Sequence, residues 1–135
     1  MDDRVASAMA LLPERLGQHV LLSAAALALG LTVSLPLAVL AARRPRLRWA
    51  ALTLAGLIQT IPGLALLALF YPLLLAVSVL TVRLFGLQTP ALGFLPALFA
   101  LALYSMLPIL RNGVAGLTGV DPAVVEAADG VGLTP

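Results

Sequence analysis

Three long apolar runs, separated by short polar or charged breaks, set the pattern of this chain. Residues 20–42 are uncharged for 23 positions. At 1.5 Å per residue they give about 35 Å of helix against about 30 Å of hydrocarbon, which predicts a tilted membrane span. Residues 49–82 are uncharged for 34 positions, about 51 Å if helical throughout. That is too long for one upright span and too short for two spans with a turn. Residues 91–110 give about 30 Å and a third span, closed by Arg111-Asn112-Gly113. If the loops at 43–48 and after 110 share one side, an even number of crossings lies between them. Residues 49–69 then cross outward and 91–110 return. The remainder, 70–90, lies outside or along the outer interface, with Leu73, Leu74, Leu75 and Val77 partly embedded. Residues 1–18 read as a mixed tail with at most a brief interfacial helix, because Leu11-Leu12-Pro13 is too short to span.

The last segment changes character. Residues 113–120 are glycine-rich and uncharged, an irregular lead into Asp121-Pro122-Ala123-Val124-Val125-Glu126-Ala127-Ala128-Asp129-Gly130. The Asp121 carboxylate can accept from an orphan amide as an N-cap, and Pro122 fits the first helical position, where no amide donor is needed. Val124, Val125 and Ala128 share one side, and Asp129-Gly130 offers a stop after about two turns. Such a helix is amphipathic and too short to be stable alone in water, so it needs another surface for its apolar side.

Polar residues inside the runs are the next signal. In the first run Ala24, Ala25, Ala26, Ala28 and Gly30 permit close helix approach, and a bundle can satisfy Thr32, Ser34 and Pro36. Gln59, Thr60, Pro62 and Gly63 fall near the middle of the second span. Pro62 removes an amide and invites a kink, and Gly63 relaxes the backbone beside it. Polar groups at that depth face a bundle interior or a cavity, so Gln59 either lines a path or holds two helices together. Tyr104-Ser105 adds polar groups to the inner half of the third span.

Composition confirms the solvent. With 61% hydrophobic and 10% charged residues, the chain is an integral membrane protein. Its positive charge comes from eight arginines and no lysine. Arg43, Arg44, Arg46 and Arg48 surround Pro45 in one loop ending at Trp49, where orienting the chain is the simplest reading. The positive-inside rule makes this loop cytoplasmic and the N-terminus external. A contact patch for anionic lipid or for a partner is the competing reading, and no nucleic-acid partner is expected. Arginines follow the first apolar run rather than precede it, so no signal cleavage is expected. There is no cysteine, and His19 stands alone before the first run, an interface residue rather than a ligand. All six carboxylates lie outside the spans, and without lysine there is no phosphate loop of the usual kind. No catalytic constellation and no cofactor site is expected in this chain.

Glu126-Ala127-Ala128, three further residues and Gly132 resemble the start of the EAA loop of bacterial ABC-importer permeases. Two upstream blocks, Gln59-Thr60-Ile61-Pro62-Gly63-Leu64-Ala65-Leu66-Leu67 and Tyr104-Ser105-Met106-Leu107-Pro108-Ile109-Leu110-Arg111-Asn112, followed by Val120-Asp121-Pro122, resemble the osmoprotectant branch. That branch imports glycine betaine, carnitine, choline or proline. Three ordered blocks make the resemblance specific, whereas the tripeptide alone would not. It runs from about Leu16 to the end. The family's motif continues past Gly132 toward an I-x-L-P element and its chain into further helices, so a longer permease is expected.

The resemblance implies an all-α membrane protein, a type I importer-like bundle with about three spans and a cytoplasmic coupling helix within 113–135. It implies that Asp121, Pro122, Glu126, Ala127, Ala128 and Gly132 couple to an ATPase subunit, which supplies ATP and Mg chemistry. Glu126 would orient the docked helix and Gly132 would allow close approach; the plain alternatives are a solvated carboxylate and a turn glycine. Gln59, Thr60, Pro62 and Tyr104 would line the translocation path. A second permease copy or related subunit, an extracytoplasmic binding protein and membrane lipid are the other implied partners. Aromatic residues are scattered at different heights, so tight selection of a cation is expected on the binding protein rather than here. A permease for an amino acid or another small solute, and a membrane scaffold without a path, are the alternatives.

Overall fold

Hydrocarbon offers backbone amides no partner, so each apolar segment must close its own hydrogen bonds. The computed structural model, which describes residues 2–87 and 90–133 with side chains from residue 5 onward, meets this demand with helices throughout. They are α1 (Asp2–Arg43), α2 (Pro45–Thr60), α3 (Gly63–Phe85), α4 (Phe94–Thr118) and α5 (Pro122–Gly130), and no strand occurs among the described residues. Three of them, α1, α3 and α4, are long and apolar enough to cross a membrane. Residues 88 and 89 of the expected outer segment, and 134 and 135 of the expected coupling loop, lie outside the described residues.

The core is the seam between α1 and α4. Ala26, Gly30, Ser34 and Ala38 recur every fourth residue on α1 and are all buried, with Ala41 continuing the stripe. Small side chains let two backbones approach closely, which is how helices gain packing energy where lipid is as apolar as the protein. A Cβ on Gly30 would lie 1.9 Å from Ser105 Oγ and 3.3 Å from the Ala102 carbonyl oxygen. Further along, a Cβ on Gly113 would lie 3.0 Å from that of Ala38. These contacts advance together along both helices, so α1 and α4 run parallel and their C-terminal ends share one side. The chain must therefore return between them. α2 starts that leg, burying Ala55 in a cluster with Ala38, Ala41, Leu110 and Val114. α3 continues it on α4 alone, with Leu66 and Leu74 buried and the Phe70 and Phe99 rings 6.1 Å apart.

The arginine loop is one residue long. Arg44 is extended, α2 opens on Pro45, and Arg48 reaches back to donate from Nη2 to the Ala42 carbonyl at 2.9 Å and from Nε to the Ala41 carbonyl at 3.4 Å. A cation on the last carbonyls of α1 satisfies orphan acceptors and opposes the negative end of the helix dipole. Arg48 thus has a capping role in addition to its charge.

Four boundaries differ from those the sequence predicts. The mixed tail is the first part of α1, which is 42 residues, about 63 Å, and so projects well beyond the hydrocarbon. An exposed Gln18 to Glu14 hydrogen bond of 3.1 Å, one turn apart, supports that polar extension. The expected helix over 49–69 is broken rather than kinked. Ile61 is extended (φ −77°, ψ 123°), the conformation that a following proline imposes, so α2 ends at Thr60 and α3 restarts at Gly63. Residues 70–85, placed outside or along the outer interface by sequence, belong to the 23-residue α3. Finally, the third span starts at Phe94 and runs through Arg111, Asn112 and Gly113 to Thr118, so most of the expected irregular lead is helix. Gly113 is tolerated there because it meets Ala38, and intrahelical bonding outweighs its backbone entropy cost.

The seam yields a direct test. Gly30→Leu is expected to destabilise the bundle by about 1–3 kcal/mol or more, since the new side chain meets backbone as well as Ser105. Gly30→Ala should cost less, and adding Ser105→Ala should recover most of it by removing the Oγ that the new methyl strikes. Thermal unfolding of the full-length protein in detergent measures all three; an unchanged midpoint for Gly30→Leu would refute the close approach.

Candidate functional site

Two groups of residues carry the candidate chemistry. One lies at the α2–α3 break. Pro108 in α4 has no amide hydrogen, so the carbonyl four residues earlier, that of Tyr104, loses its helical donor. Gln59, in the last turn of α2, supplies a replacement: its Nε2 donates to the Tyr104 carbonyl at 2.8 Å. The Ile61 carbonyl is likewise left in the break, because α3 takes its first acceptor from Pro62, bonded by Leu66 N at 3.0 Å. The Tyr104 hydroxyl donates to that Ile61 carbonyl. Each helix therefore lends a side chain to a carbonyl that a proline has freed or isolated on the other. The result is a reciprocal latch across the hinge, packed close because a Cβ on Gly63 would lie 3.5 Å from the Tyr104 ring.

Of the four path residues named from sequence, Gln59, Pro62 and Tyr104 meet at this latch. Thr60 does not join it; its hydroxyl donates to the Leu57 carbonyl of its own helix at 2.7 Å. Sequence reasoning missed the Ile61 carbonyl and the pairing itself. Part of the signal was present, since counting back four residues from Pro108 leads to Tyr104.

The second group is α5. The Asp121 carboxylate accepts from the Ala123 amide at 2.9 Å, and the Asp121 carbonyl receives the amides of Val124 and Val125. Pro122 opens the helix. At the other end the helix stops at Gly130, as expected, and Gly132 supplies the left-handed closure beyond it. Gly132 has φ +84°, its amide donates to the Asp129 carbonyl at 3.0 Å, and the Leu133 amide donates to the Ala128 carbonyl at 3.0 Å. This paired closure needs a left-handed residue at the Gly132 position, which glycine adopts without a Cβ penalty. Gly132 thereby shapes the end of the helix whether or not anything approaches it. Glu126 and Ala127 are exposed, as are Val124 and Val125, and only Ala128 is half-buried. Among the described residues α5 packs against none of the other helices. Its ends are defined and its apolar side is bare.

A helical chain whose parallel first and last spanning helices are joined by a proline-broken return leg, and which then leaves the bundle in a short capped helix, has the architecture of a polytopic membrane protein. More specifically, the chain belongs to the binding-protein-dependent transport system inner membrane component family, whose sequence model matches residues 34–135. It is 36% identical over 118 residues, 87% of this chain, to the choline transport system permease protein OpuBB of Bacillus subtilis, covering 47% of that protein. It is 35% identical over 117 residues to the carnitine transport permease protein OpuCB of Listeria monocytogenes, 87% of this chain and 46% of that one. To the osmoprotectant import permease protein OsmW of Salmonella typhimurium it is 38% identical over 117 residues, 87% of this chain and 49% of that one. The chain thus spans about half the length of the curated relatives it matches. No solved structure matches it.

Proposed function

We propose that this chain is the hinge and coupling part of the membrane-spanning permease subunit of an ATP-driven importer for osmoprotectants such as glycine betaine, carnitine, choline or proline. The observation that carries this reading is α5, nine residues capped at both ends and, among the described residues, packed on no other helix. A helix that short gains its stability from a surface outside itself. The ATPase subunit is the occupant that family membership favours, with Asp121, Pro122, Glu126, Ala127, Ala128 and Gly132 presenting the docking element. ATP and Mg would be bound by that separate subunit, as membership of the binding-protein-dependent transport family favours.

The N-terminus lies outside, and Arg43, Arg44, Arg46 and Arg48 lie inside with α5. The parallel course of α1 and α4 supports a single shared side for both loops, and the arginines support its being cytoplasmic. In the same reading the α2–α3 break lines the translocation path. Discontinuous helices with freed carbonyls at membrane depth are tolerated where backbone borders protein or a cavity, and transporters use them at the site that changes access. A second permease copy or related subunit completes the path. An extracytoplasmic binding protein delivers cargo and supplies most of the selectivity. The names of the relatives favour osmoprotectants over an amino acid or another small solute.

Uptake of labelled glycine betaine by the full-length permease in proteoliposomes tests the reading. Transport should require ATP, the ATPase subunit and the binding protein together. Tight equilibrium binding of betaine to the permease without the binding protein would show that recognition has been assigned to the wrong subunit.

A further inference from the structure

Beside the latch, α2 and α4 border an open cleft of about 230 Å³ lined by Gln59, Leu107, Pro108, Arg111 and Asn112. Its position follows from the α4 boundary: Arg111 is seven residues before the end of the helix at Thr118, about 10 Å inside it. It is the one charge on α4, on a helix otherwise apolar enough to cross a membrane. Its guanidinium presents a planar fork of donors. Arg111 and Asn112 are both exposed, so this fork is open to a ligand of opposite charge. No side-chain hydrogen bond or ion pair among the described residues involves Arg111 or Asn112. The carboxylates with described side chains are Glu14, on the opposite end of α1, and Asp121, Glu126 and Asp129, on or beside α5. The amide of Asn112 and the second hydrogen on Gln59 Nε2, the first being used on Tyr104, add neutral donors to the same cleft.

We infer that this cleft is a transient carboxylate subsite on the transport path, in which Arg111 takes the carboxylate of a zwitterionic cargo and Asn112 and Gln59 orient it. The inference rests on the permease reading above and deepens it by dividing the cargo into two chemical classes. Glycine betaine and carnitine carry a carboxylate as well as a quaternary ammonium, whereas choline has a hydroxyl in place of the carboxylate. Leu107 and Pro108 make the remaining wall apolar, which suits the methylated end and leaves the carboxylate as the group with directional partners. Because Gln59 belongs to both the latch and the cleft, a carboxylate held on its second amide hydrogen would sit directly beside the latch.

The test compares uptake of glycine betaine and of choline by the full-length permease, assembled with its ATPase and binding protein, in proteoliposomes. Arg111→Gln is expected to lower the betaine-to-choline uptake ratio about tenfold or more, the loss of a charge-assisted hydrogen bond. Arg111→Lys, which keeps the charge without the fork, should fall between. Asn112→Ala keeps the arginine and any role it has in orientation, and should lower the same ratio by a smaller factor. Equal loss of both cargoes in Arg111→Gln, tracking the amount of inserted protein or the anionic lipid content, would assign Arg111 to membrane anchoring and overturn the subsite. A ratio unmoved in all three variants would overturn it as well. If the unsubstituted assembly carries neither cargo, the permease reading itself fails, and that result is distinct because it precedes any variant.

Discussion

Glu126→Lys and Val124→Asp are each expected to leave the protein inserted while cutting ATP-driven uptake about tenfold or more. Insertion should survive because among the described residues α5 packs on no other helix, and both side chains are exposed. Coupling should not survive. Val124 is 60% exposed and Val125 46%, a bare apolar side that a docked partner would cover. A carboxylate placed there must be desolvated to dock, and a reversed charge at Glu126 leaves its partner group unpaired, each typically costing several kcal/mol. Gly132→Val should act at one remove. It leaves the apolar side untouched but forces a β-branched residue to φ +84°, so the closure at Ala128 and Asp129 opens and the helix end is misplaced. Membrane content by immunoblot, read beside uptake, separates the two effects; normal uptake in both charge variants would remove the support for docking.

The second large effect concerns the latch. Gln59→Leu strands the carbonyl that Pro108 freed, and Tyr104→Phe strands that of Ile61. Tyr104 and Ile61 are half-buried, and an acceptor left there without its donor costs up to about 1–3 kcal/mol. Each variant should therefore lower the unfolding midpoint of the full-length protein. Because both bonds hold the same pair of helices together, breaking one loosens the other, and the double variant should cost less than the sum by roughly 0.5–3 kcal/mol. A strictly additive pair would mean two independent hydrogen bonds rather than a latch.

These two sites were legible in the sequence to different degrees, for a physical reason. The start of α5 was legible because capping is local: Asp121 and Pro122 act within one turn. Its end at Gly130 was legible too, but not that Gly132 makes the left-handed closure, because only the bonds onto Ala128 and Asp129 choose between the two glycines. Pro62 was read as a kink, since propensity registers a missing amide but not how far the following helix can swing once Ile61 is extended. The prolongation of α4 past Arg111 went against two ordinary stop signals, a charge and a glycine. It was decided by the Ala38 contact and by the need of each amide for an intrahelical partner. Four-residue spacing of Ala26, Gly30, Ser34 and Ala38 could have singled out the seam, but other small residues nearby hid the stripe. The latch was least legible because its partners lie 43 and 45 residues apart and each bond joins a side chain to a backbone carbonyl, which residue type does not specify.

Docking of α5 on an ATPase subunit is the central claim, and site-directed cross-linking tests it most directly. The sequence contains no cysteine, so single cysteines can be placed at Val124, Glu126 and, as a control on α3, Phe85. In the assembled full-length complex, with cysteines introduced along the ATPase surface, the account predicts disulfide cross-links from Val124 or Glu126 and none from Phe85. Cross-linking from Phe85 with none from either α5 position would contradict it, because the ATPase would then sit at the opposite face of the membrane from the helix proposed to receive it.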